Sequence, residues 1–351
     1  MATSRDMYQE ITDSVIDALE KGTIPWEKPW SLNGDRKQPR SVSTGKVYQG
    51  INWIMLGPWM FGASHSSPWW MTFKQAQKLC IKEWIKYTDS NGKTRSKPVY
   101  HDESRRGVRK GEKSYPIVHW SFIDGKHPAG HPKAGQLTGR KVPILQHFSA
   151  FNLDQCDMPD EVVERLAKRL DRLAGEEKQS STTLTGEAVE AAKATADEYI
   201  SREGIKFNDA GSLACYSPMA DAITMPEVQT FTGAEEYLAT LLHECVHSTG
   251  IDKRLKRGIE QNGSKGSESY AREELVAELG SVFAAARLGI NMPTVNDNRN
   301  AYIANWIAVL ENDKKALIWA AGRAEKATNL IIGDREDQGE AEPSLEWKGR
   351  G

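Results

Sequence analysis

Leu241-Leu242-His243-Glu244-Cys245-Val246-His247-Ser248-Thr249-Gly250 sets two histidines one helical turn apart, with a glutamate directly after the first. At 3.6 residues per turn, positions i and i+4 share a face, so His243 and His247 can each offer a ring nitrogen to one cation. Glu244 then stands beside a water held at that cation. This is the H-E-x-x-H pattern of zinc hydrolases, with Glu244 as the general base. The chemistry needs a helix, and residues 234–242 supply apolar positions at helical spacing. Thr232 is placed to cap that helix and Gly250 to stop it. Cys245 falls on the far side and reads as a small buried hydrophobe.

No histidine follows His247 and no cysteine follows Cys245, so a third ligand further along the chain must be a carboxylate. Residues 269–286 read as a largely buried helix with Leu275, Leu279, Val282 and Ala286 as its apolar stripe. Glu274 and Glu278 lie one turn apart beside that stripe, where like charges repel unless a cation neutralises them. We assign Glu274 as the third ligand and Glu278 as the acceptor that orients a ligand histidine through its other ring nitrogen. The reverse assignment stays open, as does the plainer reading of two solvated acids on an amphipathic helix. Glu273 is expected to point elsewhere. Three ligands on Zn2+ leave a position for water, whose pKa falls toward ~7. Glu244 would take its proton and pass it to a leaving amine, which makes the reaction class amide hydrolysis. Residues 213–226 read as two short strands around a turn, an edge that can hold an extended peptide. Tyr216 there is a candidate oxyanion helper, against the plainer reading of a packing residue.

The chain has 351 residues, a length that suggests two domains. It has no apolar run long enough to cross a bilayer and no secretion-signal pattern at its start, so we expect a soluble, cytoplasmic protein without a membrane partner. Cys80, Cys156, Cys215 and Cys245 lack paired metal spacing and read as reduced thiols. The net charge of -2 conceals an asymmetry. Residues 1–156 carry 23 Lys+Arg against 14 Asp+Glu, and the remainder 23 against 34. A basic first half points to a polyanionic partner, whereas the acidic second half does not.

That first half opens with a helix from about Ser4 or Asp6 through Glu20, ended by Gly22. Eight of the eleven tryptophans then fall before residue 121. They recur beside basic or amide groups, the mixture that single-stranded nucleic acid requires, since bases stack on rings and phosphates need cations or donors. The candidate DNA-binding residues are Trp26, Lys28, Trp30, Arg40, Lys46, Tyr48, Asn52, Trp69, Trp70, Lys74 and Gln75. Arg109, Lys110 and Lys113 join them from the basic run at residues 105–113, read as a turn that tracks phosphates. Core packing is the competing reading for each tryptophan. His101, His119, His127 and His131 lack ligand spacing and read as surface or packing residues.

Residues 159–174 form an amphipathic helix and residues 175–183 a polar, mobile stretch. The organisation expected is a DNA-binding domain at 1–156, a linker helix and mobile segment at 157–184, a metallopeptidase-like domain at 185–332 and a disordered tail at 333–351. Residues 299–332 should pack on the second domain. The fold class is α+β: a mixed α/β first domain and a mostly helical, zincin-like second domain with a small β-sheet.

Several ordered motifs carry a family resemblance over about residues 5–332. They are Pro25-Trp26-Glu27-Lys28-Pro29-Trp30, Thr44-Gly45-Lys46-Val47-Tyr48-Gln49-Gly50-Ile51-Asn52, Trp70-Met71-Thr72-Phe73-Lys74-Gln75-Ala76, Val108-Arg109-Lys110-Gly111-Glu112-Lys113 and Phe151-Asn152-Leu153-Asp154-Gln155. In the second half Tyr216-Ser217-Pro218, Asp221, Met225-Pro226, the H-E-x-x-H with Thr249-Gly250, and Tyr270-Ala271-Arg272-Glu273-Glu274-Leu275-Val276-Ala277-Glu278-Leu279 follow. On these the chain resembles the ArdC family of antirestriction proteins of plasmids, phages and related mobile elements. The resemblance implies a single-stranded-DNA-binding domain joined to a SprT-like zinc metallopeptidase domain, in a protein that protects incoming DNA from host restriction. The sequence departs from the family with polar insertions around residues 88–104 and 124–141, and at Tyr48-Gln49, where relatives often carry Arg. Three readings follow. The first is an enzyme tethered to DNA that cleaves a restriction protein or another DNA-bound protein, and the second a DNA-covering protein whose zinc is structural. The third is an ordinary peptidase with an incidental basic domain.

Overall fold

Asp6 starts the first helix by accepting the Gln9 N–H on its side chain, and α1 runs Met7–Glu20 until Gly22, at φ 69°, reverses the chain. The computed structural model describes residues 6–26, 38–57, 65–126, 133–177, 186–209, 211–259, 267–290 and 299–334. In the first half α1 is followed by β1 (Arg40–Ser41), α2 (Gly50–Leu56), β2 (Trp69–Thr72), α3 (Phe73–Leu79), β3 (Ile81–Thr88) and β4 (Thr94–Tyr100). Then come β5 (Gly107–Val108), the long hairpin β6 (Tyr115–Lys126) and β7 (Leu137–Asn152), β8 (Cys156–Asp157) and α4 (Asp160–Glu177).

The main sheet has the order β1-β2-β7-β6, parallel at β1/β2 and antiparallel elsewhere. Successive residues of a strand face opposite ways, so Trp69 and Trp70 of β2 look to opposite sides of this sheet. Both sides are covered. Trp69 and Met71 pack with Ala76 and Cys80 from α3 and its end, and with Met158, Val162 and Leu166 in and just before α4. Trp70 packs with Leu56 of α2 and Ala150 of β7. Helix α4, expected as a linker, is therefore a layer of the first half's own core, because its apolar stripe finds the open face of the sheet.

The second half contains α5 (Gly186–Glu203), the short strands β9 (Lys206–Asn208), β10 (Cys215–Ser217) and β11 (Ala222–Thr224), then α6 (Ala234–Ser248), α7 (Glu268–Leu288), α8 (Arg299–Asn312) and α9 (Ala316–Ile332). The strands form a sheet in the order β10-β11-β9, with β10 at its edge. Helices α6 and α7 touch backbone-close. A Cβ on Gly280 would sit 2.8 and 2.9 Å from the two methyl groups of Val246. Architecture and fold class are thus α+β, in two units.

These units share an interior. Ile11, Val15, Leu19, Trp26, Trp53 and Met55 of the first half lie in one buried cluster with Leu241, Leu242, Phe283, Trp306 and Leu317 of the second. Trp26 meets Trp306 edge-on at 5.6 Å, and Trp53 meets Phe283 at 5.4 Å. The Gly50 N–H donates to Glu325 of α9 at 3.0 Å. Among the described residues no helix is long and apolar enough to cross a membrane. Of the segments expected to be mobile or disordered, 175–183 and 333–351, residues 175–177 instead complete α4 and Gly333 caps α9 in a left-handed conformation, and residues 178–183 and 335–351 lie outside the described residues.

Candidate metal centre

Helix α6 begins differently from the expectation: Gly233 is its cap, and Thr232 gives its N–H to Glu236 at 2.7 Å instead. Gly250 is not a left-handed stop either. Thr249 ends the helix, and the missing side chain of Gly250 leaves room for Arg257 and Ile259, which a Cβ would approach to 2.9 and 2.7 Å.

The helix points both histidines at α7. His243 Nε2 and His247 Nε2 are 3.1 Å apart; the first lies 3.5 Å from Glu274 Oε2 and the second 3.5 Å from Glu274 Oε1. Ligands held at ~2.0–2.1 Å around a tetrahedral ion are about 3.3 Å from one another, so these spacings suit a shared zinc ion. His243, His247 and Glu274 are the group of potential metal ligands found among the described residues.

The other ring nitrogens are also held. His243 Nδ1 faces Glu278 at 3.7 Å, and His247 Nδ1 faces Glu273 at 3.3 Å. Glu273, expected to point away, thus orients the second histidine. It is itself gripped by Arg257, whose Nε donates at 3.0 Å and Nη2 at 2.6 Å, while that guanidinium also donates to Val246 O at 2.8 Å and Thr249 Oγ1 at 2.6 Å. Two imidazoles offered to one ion would need two such acceptors, and that count was the available signal.

Electrostatics follow from burial and crowding. Burial alone would lower His243, but its hydrogen bond with Glu274 and the charges of Glu244, Glu274 and Glu278 outweigh that and hold it up at about 9. Burial would raise Glu274, and the two histidines overcome it and bring the carboxyl down to about 2. Glu273 is likewise below the usual range, since Arg257 and His247 outweigh burial, whereas Glu278 is raised by burial with Glu274 adding to it. At neutral pH the cluster therefore attracts positive charge.

A second hub ties the edge strand β10 to the motif helix. Arg254, its side chain almost fully buried, donates both ends of its guanidinium to Asp221 at 2.9 and 3.0 Å and also to Ser248 O at the end of α6. The Tyr216 hydroxyl donates to Asp221 at 2.7 Å, which engages it in this hub. Burial opposes ionisation of Asp221, but Arg254, Lys253 and Tyr216 outweigh it and hold the carboxyl at about 2. Because this folded value lies below the unfolded 3.8, the stabilisation is present above about pH 4 and is lost as pH falls toward 2. Asp221→Asn should accordingly be less stable than wild type at pH 7, with the gap closing between pH 4 and 2 in denaturant titrations. A gap independent of pH would remove the ionic account.

Residues 5–151 match the family model of the N-terminal domain of the anti-restriction factor ArdC, and residues 194–323 that of a zincin-like metallopeptidase. The fold matches the metal-free crystal structure of the antirestriction ArdC protein from the R388 plasmid with a TM-score of 0.63 and 30% identity, over 93% of this chain and 97% of that one. The chain belongs to the ArdC antirestriction family. The Mn(II)-bound structure of the R388 protein matches with a TM-score of 0.62 and 29% identity, over 95% of this chain and 100% of that one. An uncharacterised protein, y4eC of Sinorhizobium fredii, is 27% identical over 95% of this chain and 94% of its own length. Two DNA primases TraC of Escherichia coli are 29% and 30% identical, and the chain spans 28% and 20% of their lengths.

Within this ArdC fold the proposed DNA-contacting residues divide sharply. Trp26, Trp69, Trp70 and Arg40 are buried, and a ring enclosed on both faces has none to offer a base. Trp69 lies under Arg169, and Trp70 is boxed by His65 and Tyr115. Arg40 donates to Gly45 O at 3.1 Å. Tyr48 packs beside Trp70. Asn52 exchanges two hydrogen bonds with the Val118 backbone, and Gln75 completes a capping box with Thr72. Arg109 is engaged by Glu112, Asp154 O and Cys156 O. Lys46, Lys74, Lys110 and Lys113 remain exposed, and Lys28 and Trp30 lie outside the described residues. The arginines read as tracking phosphates are likewise paired within the fold, Arg105 with Asp157 and Asp160 and Arg106 with Glu103. His101 pairs with Glu161 at 2.8 Å and His119 is exposed, whereas His127 and His131 lie outside the described residues.

Proposed function

We propose that this chain is an antirestriction protein that binds single-stranded DNA through residues 1–156 and holds a catalytic divalent metal ion, Zn2+, in residues 185–332. It thereby protects incoming plasmid or phage DNA from restriction in the cytoplasm of a bacterial host. The observation that carries the enzymatic part is the convergence of His243, His247 and Glu274 on one point, with Glu244 in the same turn. Mn(II) in the R388 relative supports a divalent ion, and two imidazoles with one carboxylate favour zinc. When bound, the ion supplies Lewis acidity and makes water a competent nucleophile near neutral pH.

The chain's own groups do the rest. Glu244 accepts the proton of the attacking water and delivers it to the leaving amine. Glu273 and Glu278 hold the two imidazoles in one tautomer and one orientation. The free edge of β10, fixed to α6 through Asp221 and Arg254, receives an extended peptide by backbone pairing. A host restriction protein or another protein on the same DNA is the substrate class, since shared DNA raises its local concentration.

Glu244→Gln tests this reading. It should keep metal and single-strand affinity yet lose protection of a conjugating plasmid in a restricting host, by the ~10²–10⁴-fold that general-base removal costs. Full protection by that variant would instead mean that covering the DNA is sufficient.

A further inference from the structure

Trp84 is the exposed tryptophan among the described residues, with 60% of its surface free, and it stands on a ribbon whose base packs through Tyr100 while Lys82–Thr88 and Thr94–Lys97 are exposed. Among the described residues, strands β3 and β4 pair only with each other, in the register Trp84↔Pro98, Lys86↔Ser96, Ile85↔Lys97 and Tyr87↔Arg95. Paired residues share a face, so Trp84 and Lys86 occupy one side, and Ile85, Tyr87 and Lys97 the other. Residues beyond Ile81 on β3 are exposed on both sides, including Ile85 and Tyr87. A two-stranded ribbon with both faces in water is marginal, and a large ring left exposed on each face, Trp84 on one and Tyr87 on the other, marks a binding surface.

The charge says what that surface fits. Residues 81–100 carry five cations, Lys82, Lys86, Lys93, Arg95 and Lys97, against Glu83 and Asp89. Asp89 is turned inward, capping the Asn91 and Lys93 N–H groups and pairing with Arg95. At its root the ribbon meets α4: His101 pairs with Glu161, and Arg165 donates to Leu79 O at 3.4 Å. There Arg165, Lys168, Arg169 and Arg172 line a cleft with Glu161 and Glu164, so a net positive charge continues beyond the ribbon. An apolar protein partner explains the rings but not this run of cations. A flexible polyanion with flat groups explains both.

We propose that the β3–β4 ribbon is an arm for single-stranded nucleic acid, with a base stacked on Trp84 and the flanking phosphates on Lys82 and Lys86. This rests on the single-strand reading above and replaces the buried tryptophans as its stacking platform. The test uses the full chain and a fluorescently labelled oligodeoxythymidine, read by anisotropy across a salt series, beside a duplex of equal length. Trp84→Ala should weaken single-strand binding on the order of ten-fold, and Trp84→Phe should restore most of it. Lys82→Gln combined with Lys86→Gln should lower the logarithmic salt slope by about 1.4.

If wild type binds the oligonucleotide and Trp84→Ala binds equally well, the arm is wrong and the single strand lies elsewhere on the fold. The arm is equally wrong if Trp84→Ala weakens duplex binding to the same degree, or if Trp84→Phe behaves like alanine. If wild type binds no single strand, both the arm and the reading it rests on fall. Because Trp84 lies outside every core cluster, melting temperatures of the variants should match wild type, so lost binding is not lost folding.

Discussion

Glu274→Ala should abolish tight metal binding. Structural zinc sites with four protein ligands bind with ~10–16 kcal/mol, about 3 kcal/mol per ligand, so loss of one carboxylate weakens affinity more than a hundred-fold. Metal content after dialysis against a mild chelator reads this directly. The Glu273→Gln variant is the graded comparison: it leaves all three ligands in place but loosens His247 and Arg257, and should cost about 10–100-fold. If Glu274→Ala keeps its metal while Glu278→Ala loses it, the ligand and the orienting acid must be exchanged.

Gly280→Ala should act nearly as strongly from a residue that touches no metal ligand. The added methyl would overlap both methyls of Val246 at under 3 Å, and a β-branched side chain inside a helix has almost no alternative rotamer. Only separation of α6 from α7 relieves the clash, at about 1–3 kcal/mol of stability. Val246 sits between His243 and His247, so the same separation draws both imidazoles away from Glu274 and lowers metal affinity. Val246→Ala in the Gly280→Ala background should recover both stability and metal. Additive losses in that double mutant would refute the wedge.

The convergence of His243, His247 and Glu274 was legible because it is local: i, i+4 spacing on one helix, and a carboxylate one helix later whose like-charged neighbour called for a cation. Glu273 was missed because its role is set by Arg257, which arrives from a loop that no periodicity describes. Thr232 and Gly250 were misread for a related reason, since a cap depends on which residue actually flanks the first turn, and a glycine serves close approach as readily as a left-handed turn. The tryptophans failed at a different level. Whether Trp69 and Trp70 meet water depends on both faces of their sheet being covered, and the second cover is α4, some ninety residues further on. Trp84 and Ile85 are adjacent apolar residues, as in a strand buried on both faces, and what distinguishes Trp84 is that it is exposed.

Trp26 seated against Trp306 has one more consequence. Residues of the first half form part of the wall behind the zincin-like helices, so a fragment containing only residues 185–332 would present Phe283 and Trp306 to solvent. Such a piece would be sticky and poorly cooperative, and the two proposed functions are best dissected by point substitutions in the intact polypeptide.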